Sequence, residues 1–97
     1  MFIVVSHWEP LPGKENEIDA LSAKVRESLR LQPGVQLVEA FSHEGGHVVV
    51  VIYRDREVYE RIVAEAESPF EYIVTQTGFD KVARYVGAEA GEAFVHE

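Results

Sequence analysis

The sequence predicts an α+β domain in which a four-stranded antiparallel sheet carries helices on one face, while its other face is covered by a second copy of the chain to close an α+β barrel. Three observations predict it. The hydrophobic periodicity runs strand, helix, strand, strand, helical segment, strand. The 97 residues are one domain's worth of chain, so residues 1–97 are read as a single unit. The strands that would form the middle of the sheet are apolar on both parities, the signature of strands buried on both sides.

Phe2 to about Glu9 is rich in β-branched and aromatic residues and ends at the chain breakers Pro10-Leu11-Pro12-Gly13, which predicts a first strand. From Lys14 the pattern changes: Ile18, Leu21, Val25 and Leu29 recur at three- and four-residue spacing on one helical face. Acidic Glu15, Glu17 and Asp19 precede basic Lys24, Arg26 and Arg30, the order that the helix dipole favours. This helix should stop before Pro33-Gly34. Val35 to Glu44 and His47 to Tyr53 read as a hairpin around Gly45-Gly46, two residues that tolerate the positive φ of a tight turn. Asp55 to Glu67 then places Val58, Tyr59, Ile62, Val63 and Ala66 on one stripe, with Asp55 as N-cap. Ser68-Pro69-Phe70-Glu71 restarts the helix in a new direction, with Ser68 as cap, Pro69 in the first position and Glu71 completing a capping box; it runs to about Thr77 and ends at Gly78. Phe79 to Val86 is open to another short helical turn, and Gly91 to His96 reads as the last strand.

That order is the split β-α-β motif of a ferredoxin-like sandwich. Val48 to Tyr53 would invite edge-to-edge aggregation at a rim, so it belongs in the centre of the sheet. Both crossovers are right-handed, so both helical layers lie on the same face and leave the other bare. Yet Phe2, Ile3, Val4 and Val5, like Val48 through Ile52, are apolar on both parities. The simplest cover for the bare face is an identical sheet, a two-fold homodimer. A domain of this length buries only about 60–65% of its unfolded surface, so burial in a partner would also add stability.

A formal net charge of −8 is the wrong sign for gripping a phosphate backbone or an anionic membrane. With no cysteine, disulfide frameworks, thiolate metal sites and cysteine nucleophiles are excluded, and the cytoplasm is favoured. No apolar run approaches the roughly 20 residues that span a bilayer, and no basic leader with a cleavage site is visible. No Ser-His-Asp triad, P-loop, dinucleotide fingerprint or zinc-protease motif is present, so neither cofactor nor metal is expected.

The chain resembles the dimeric α+β barrel superfamily, most closely the antibiotic biosynthesis monooxygenase (ABM-like) domains. The resemblance rests on a short strand leading into Pro12-Gly13-Lys14-Glu15 and a Pro33-Gly34 step into the second strand. It rests also on a hydrophobic third strand ending in Tyr53-Arg54-Asp55-Arg56-Glu57, and a helix broken at Ser68-Pro69-Phe70. It covers nearly the whole chain. It implies a pocket between helices and sheet in each protomer, and activities that include cofactor-independent oxygenation of polyketide quinols, quinol oxidation and haem degradation. Ser6 stands where the haem-degrading branch carries an asparagine, and Val74 where it carries its iron-binding histidine, so haem is not expected.

Among single residues, His7 is the candidate base, Ser6 a hydrogen-bonding group, and Trp8 and Tyr72 the candidate walls of a pocket for a small aromatic ligand. The plainer reading of Trp8, which shares the parity of Phe2, Val4 and Ser6, is a packed aromatic with its N–H at a wet rim, and it is preferred. On a Gly45-Gly46 turn, Glu44 pairs with His47 and His43 with Val48, which puts His43 and His47 on opposite faces. His7, His47 and Glu44 could approach one another at one rim as metal ligands, but solvated residues flanking a hairpin are the preferred reading. Two functions follow: a cofactor-independent monooxygenase acting on an electron-rich, quinol-type aromatic, or a non-catalytic dimeric module that binds a small ligand or regulates a partner.

Overall fold

In the computed structural model, which describes residues 1–95, the elements follow in the order β1 (Phe2–Pro10), α1 (Ile18–Arg30), β2 (Val35–His43), β3 (Gly46–Tyr53) and α2 (Arg56–Tyr59). Next come a π-helical turn (Glu60–Ala64), α3 (Pro69–Thr77), a 3-10 turn (Phe79–Lys81) and β4 (Ala83–Glu92). The four strands form one antiparallel sheet in the order β2-β3-β1-β4. The ferredoxin-like α+β architecture is therefore as expected, with the valine-rich β3 and the apolar β1 in the middle. Among the described residues, no helix is long and apolar enough to cross a membrane.

Alternation sorts the sheet into two faces. Phe2, Trp8, Val38, Val49, Val51 and Tyr53 turn toward the helices and form the core with Ile18, Val25 and Leu29 of α1, Val58 and Ile62 of the second helical segment, and Ile73 of α3. The cap chemistry falls where the sequence puts it. Val58 N–H donates to Asp55 Oδ1 at 2.9 Å, Glu71 N–H donates to Ser68 Oγ at 3.2 Å, and Gly78 closes α3 in the left-handed conformation.

Three boundaries differ from the sequence expectation. The hairpin turn is Glu44-Gly45, at φ of 50° and 80°, instead of Gly45-Gly46, so His43 pairs with Gly46 and Ser42 with His47. Gly45 still supplies the positive φ at the second turn position, and Gly46 enters the strand. The second helix does not run to Glu67. It gives way to a turn in which Glu65 N–H donates to Glu60 O at 3.2 Å, the i→i+5 bond of a π-helix, and the chain then breaks with Glu67 at φ 55° and Ala66 exposed. The short helical turn allowed for after Phe79 is present, but the last strand begins at Ala83, eight residues ahead of Gly91, and ends at Glu92. β4 is rich in Ala, Gly and Glu, poor strand formers, and exists because β1 pairs with it along its length. His96 lies outside the described residues.

Gly34 illustrates how closely the layers approach. Its φ is +91°, and an added Cβ would stand 2.7 Å from both Cγ atoms of Val58, a fully buried side chain. Its carbonyl accepts from Arg54 N–H at 2.7 Å, which ties the two ends of the β2-β3 hairpin to the start of α2. Gly34→Ala should therefore combine left-handed strain with overpacking and lower stability by about 2–4 kcal/mol, read as a shift in the urea midpoint at unchanged far-UV circular dichroism.

Candidate ligand cavity

Between the helical layer and the sheet lies a cavity of about 310 Å³, at the small end of the range for small-molecule sites, about 300–1,000 Å³. Val4, Ser6, Trp8, Val49, Val51 and Tyr53 form its floor, Ser22 and Val25 of α1 one wall, and Tyr59, Val63 and Phe70 another. Tyr59 and Val63 flank the junction of α2 with the π-helical turn. Tyr85 and Ala88 of β4, both exposed, border its open side. A β-bulge sets that side: His7 pairs with Gly87 but Trp8 with Tyr85, leaving Val86 as the extra residue and turning Tyr85 to the same face as Trp8.

Aromatic contacts brace the walls. The Trp8 ring meets Phe79 and Tyr85 edge-on at centroid distances of 5.0 and 5.3 Å, and Tyr53 meets Tyr59 the same way at 5.6 Å. The polar groups are few. Ser6 Oγ accepts from Trp8 Nε1–H at 2.9 Å and donates to Val49 O at 3.4 Å. Ser22 Oγ lies 2.6 Å from Arg26 Nη1 and 2.6 Å from His47 Nε2. His47, 5% exposed, is held below the ordinary imidazole range first by burial and then by the charge of Arg26, against an opposing pull from Asp19. Burial likewise pushes the Tyr53 hydroxyl well above the ordinary phenol range, with Tyr59 adding to the shift, so it stays protonated.

The structure separates the four residues singled out from the sequence. Ser6 and Trp8 line the cavity, and Trp8 is at once wall and core, its N–H satisfied by Ser6. His7 is not at the cavity. It projects from the opposite face of the sheet, where its Nε2 lies 2.8 Å from Glu89 Oε1. Tyr72 is 65% exposed and borders a shallow outer groove with Ser68, Glu71 and Thr75. The physical reason is parity in the first case and helix phase in the second, since Phe70 and Ile73 take the inward positions of α3.

His47 and His7 also point to opposite faces, because His47 pairs with Trp8 and His7 with Val48. They do not converge with Glu44 on a metal, and among the described residues no three His, Asp or Glu side chains do. The residue that sequence reasoning missed is Ser22, and with it the partner of His47, which the sequence had set beside His7 and Glu44. The available signal was Ser22 itself, a hydroxyl at an inward position between Ile18 and Val25 on the apolar stripe of α1.

This sheet, helical layer and cavity define the fold of the antibiotic biosynthesis monooxygenase domains. Over 98% of its length the chain superposes on 94% of SnoaB, a cofactor-independent oxygenase from Streptomyces nogalater, with a TM-score of 0.77 at 14% identity. It is similar over 98% of its length to the whole of another antibiotic biosynthesis monooxygenase, with a TM-score of 0.74 at 17% identity. It is similar also to Rv0793 from Mycobacterium tuberculosis, over 98% of this chain and 96% of that one, with a TM-score of 0.74 at 16% identity. No protein-family model matches the sequence, and no curated protein matches it.

His47 makes stability depend on pH. The unfolded chain takes up a proton near 6.5, whereas the folded chain keeps the ring neutral to lower pH. Stability therefore falls as pH drops through the unfolded value, and the loss ceases below the folded one. His47→Gln should shrink the difference in urea-unfolding free energy between about pH 7.5 and about pH 5.5, relative to the parent protein.

Proposed function

We propose that the protein is an ABM-family homodimer whose cavity binds an electron-rich aromatic compound of the quinol type and presents it to dioxygen without a flavin or metal. One observation carries the reading: a cavity walled by aromatic and β-branched side chains, with a hydroxyl on its sheet side at Ser6 and another on its helix side at Ser22. Such a lining offers a flat ring a largely apolar surface with aromatic side chains at Trp8, Phe70 and Tyr59, and orientation with desolvation is what the reaction needs from the protein. The balance is complete with dioxygen alone: a quinol and O2 give a hydroxyquinone and water, the ring supplying the electrons. The likeness in fold to a cofactor-independent oxygenase supports this reaction class.

The second copy belongs on the bare face, where Ile3, Val5, Val48, Val50 and Ile52 lie together on the two central strands, beside exposed Leu37 and Phe41 of β2. Sedimentation should give about twice the 10.9 kDa chain mass. Val5→Asp should yield monomer or unfolded chain, because the carboxylate would be buried unpaired in that interface.

A naphthol or quinol should raise the melting temperature by mass action and be consumed with equimolar oxygen uptake, unaffected by chelator. Filling the cavity with Val49→Phe should abolish both effects in a folded protein. The placement of His7 and Tyr72 away from the cavity favours the second reading, a non-catalytic binding module. Binding without oxygen uptake across a broad panel would establish that reading.

A further inference from the structure

The polar wall of the cavity is more than a single hydroxyl. Buried Ser22 and His47 and half-buried Arg26 form a chain in which Ser22 Oγ is 2.6 Å from both of its neighbours. Arg26 can only donate, so one lone pair of Ser22 Oγ is committed to it. The hydroxyl hydrogen then has two destinations, His47 Nε2 or the apolar interior of the cavity, and only the first satisfies it. His47 is neutral and offers Nε2 as an acceptor when its proton sits on Nδ1. That leaves the second lone pair of Ser22 Oγ free at the cavity wall, beside a guanidinium charge.

On the ligand-cavity reading above, we propose that Ser22 and His47 are the proton-accepting pair of the site, selecting ligands by a hydroxyl group and ionising it. The ligand's O–H proton passes to Ser22 Oγ as the Ser22 proton passes to His47 Nε2. Ser22 is regenerated, the ligand becomes an oxyanion stabilised by Arg26, and His47 becomes an imidazolium. The two side chains face different spaces, as such a relay requires. Ser22 lines the cavity, while His47 borders a separate pocket at the hairpin end of α1 with Glu15, Asp19 and Ser42. Asp19 favours the imidazolium, and burial and Arg26 oppose it. Phe79, whose ring centroid is 6.3 Å from that of His47, and Trp8, its partner across β1, add no charge. Electron-rich phenols and quinols react with dioxygen as their anions, so this pair would supply the activation that His7, on the far face, cannot.

The test uses 4-nitrophenol, whose neutral and ionised forms absorb at different wavelengths, with the whole 97-residue chain. Bound to the parent, the probe should ionise about tenfold more readily than in water. Ser22→Ala should weaken its binding, and at saturating protein both Ser22→Ala and His47→Gln should return the ionisation of the bound probe to the free value, although Arg26 remains in place. Nitrogen-15 NMR of the parent's histidines should show His47 protonated on Nδ1. A bound probe that ionises as in water, a shift that survives Ser22→Ala, or a His47 proton on Nε2 would each overturn the relay while leaving the cavity reading intact. Failure of the probe and of quinols to bind the parent at all would overturn the cavity reading and the relay with it. Should Ser22→Ala fail to fold, His47→Gln and the tautomer measured in the parent still decide.

Discussion

Everything in this molecule depends on the register of β1, one of the two central strands, to β3 on one side and β4 on the other. Because side chains alternate, that register sends Phe2, Val4, Ser6 and Trp8 to the helices and Ile3, Val5 and His7 to the opposite face. A slip of one residue would exchange the two sets, placing His7 in the cavity and Trp8 outside it. Both parities of the first five residues are apolar, which removes the usual hydrophobic penalty for such a slip. The polar end of the strand breaks the tie: Trp8 packs against Phe79 and Phe70 and finds Ser6 for its N–H, while His7 finds Glu89.

The helical layer is held to that sheet by turns with little freedom. Gly34 admits no side chain because Val58 occupies the space, and Asp55 and Ser68 fix where the two short helices begin. Arg30 reaches from the end of α1 to the carbonyl of Val38 at 2.6 Å, and Arg61 reaches from the π-helical turn to that of Pro33 at 2.8 Å. These joints tie the helical layer to the sheet. The wall between them is the least regular part of the layer: α2 widens into the π-helical turn beside Tyr59 and Val63. Helices of this kind carry side chains out of ordinary phase, and here the departure falls on residues facing the cavity.

Electrostatics divides the protein in the same way. The net charge of −8 sits on a solvated exterior, with pairs such as Arg56–Glu60 and Arg84–Glu9 at the surface, where each contributes little. Inside, Ser22 and His47 are tightly bonded to each other and through Ser22 to half-buried Arg26, and none of the buried side-chain nitrogen or oxygen atoms among the described residues lacks a partner. A neutral imidazole next to a guanidinium is a different object from a solvated histidine beside a hairpin, and the difference comes from burial against α1.

By itself the sequence determined the order of elements, the amphipathic stripe of α1, the caps at Asp55 and Ser68, the stop at Gly78 and the central place of the valine-rich strand. Each of these is local, set by spacing or by the stereochemistry of a few adjacent residues. Only the tertiary structure decided what depends on one strand lying against another. β4 has weak intrinsic strand preference and is made by pairing with β1, so its start at Ala83 was hidden, as was the bulge at Val86 that turns Tyr85 to the cavity. That Ser6 and Trp8 face the helices was legible because their parity follows that of Phe2 and Val4. The same alternation puts His7 on the other face, whereas the position of His47 was hidden, since a single residue of hairpin register changes its cross-strand neighbour. The meeting of Ser22 with His47 joins residues 25 apart in the chain, and no pattern within either segment specifies it: it exists because α1 crosses the sheet at the start of β3.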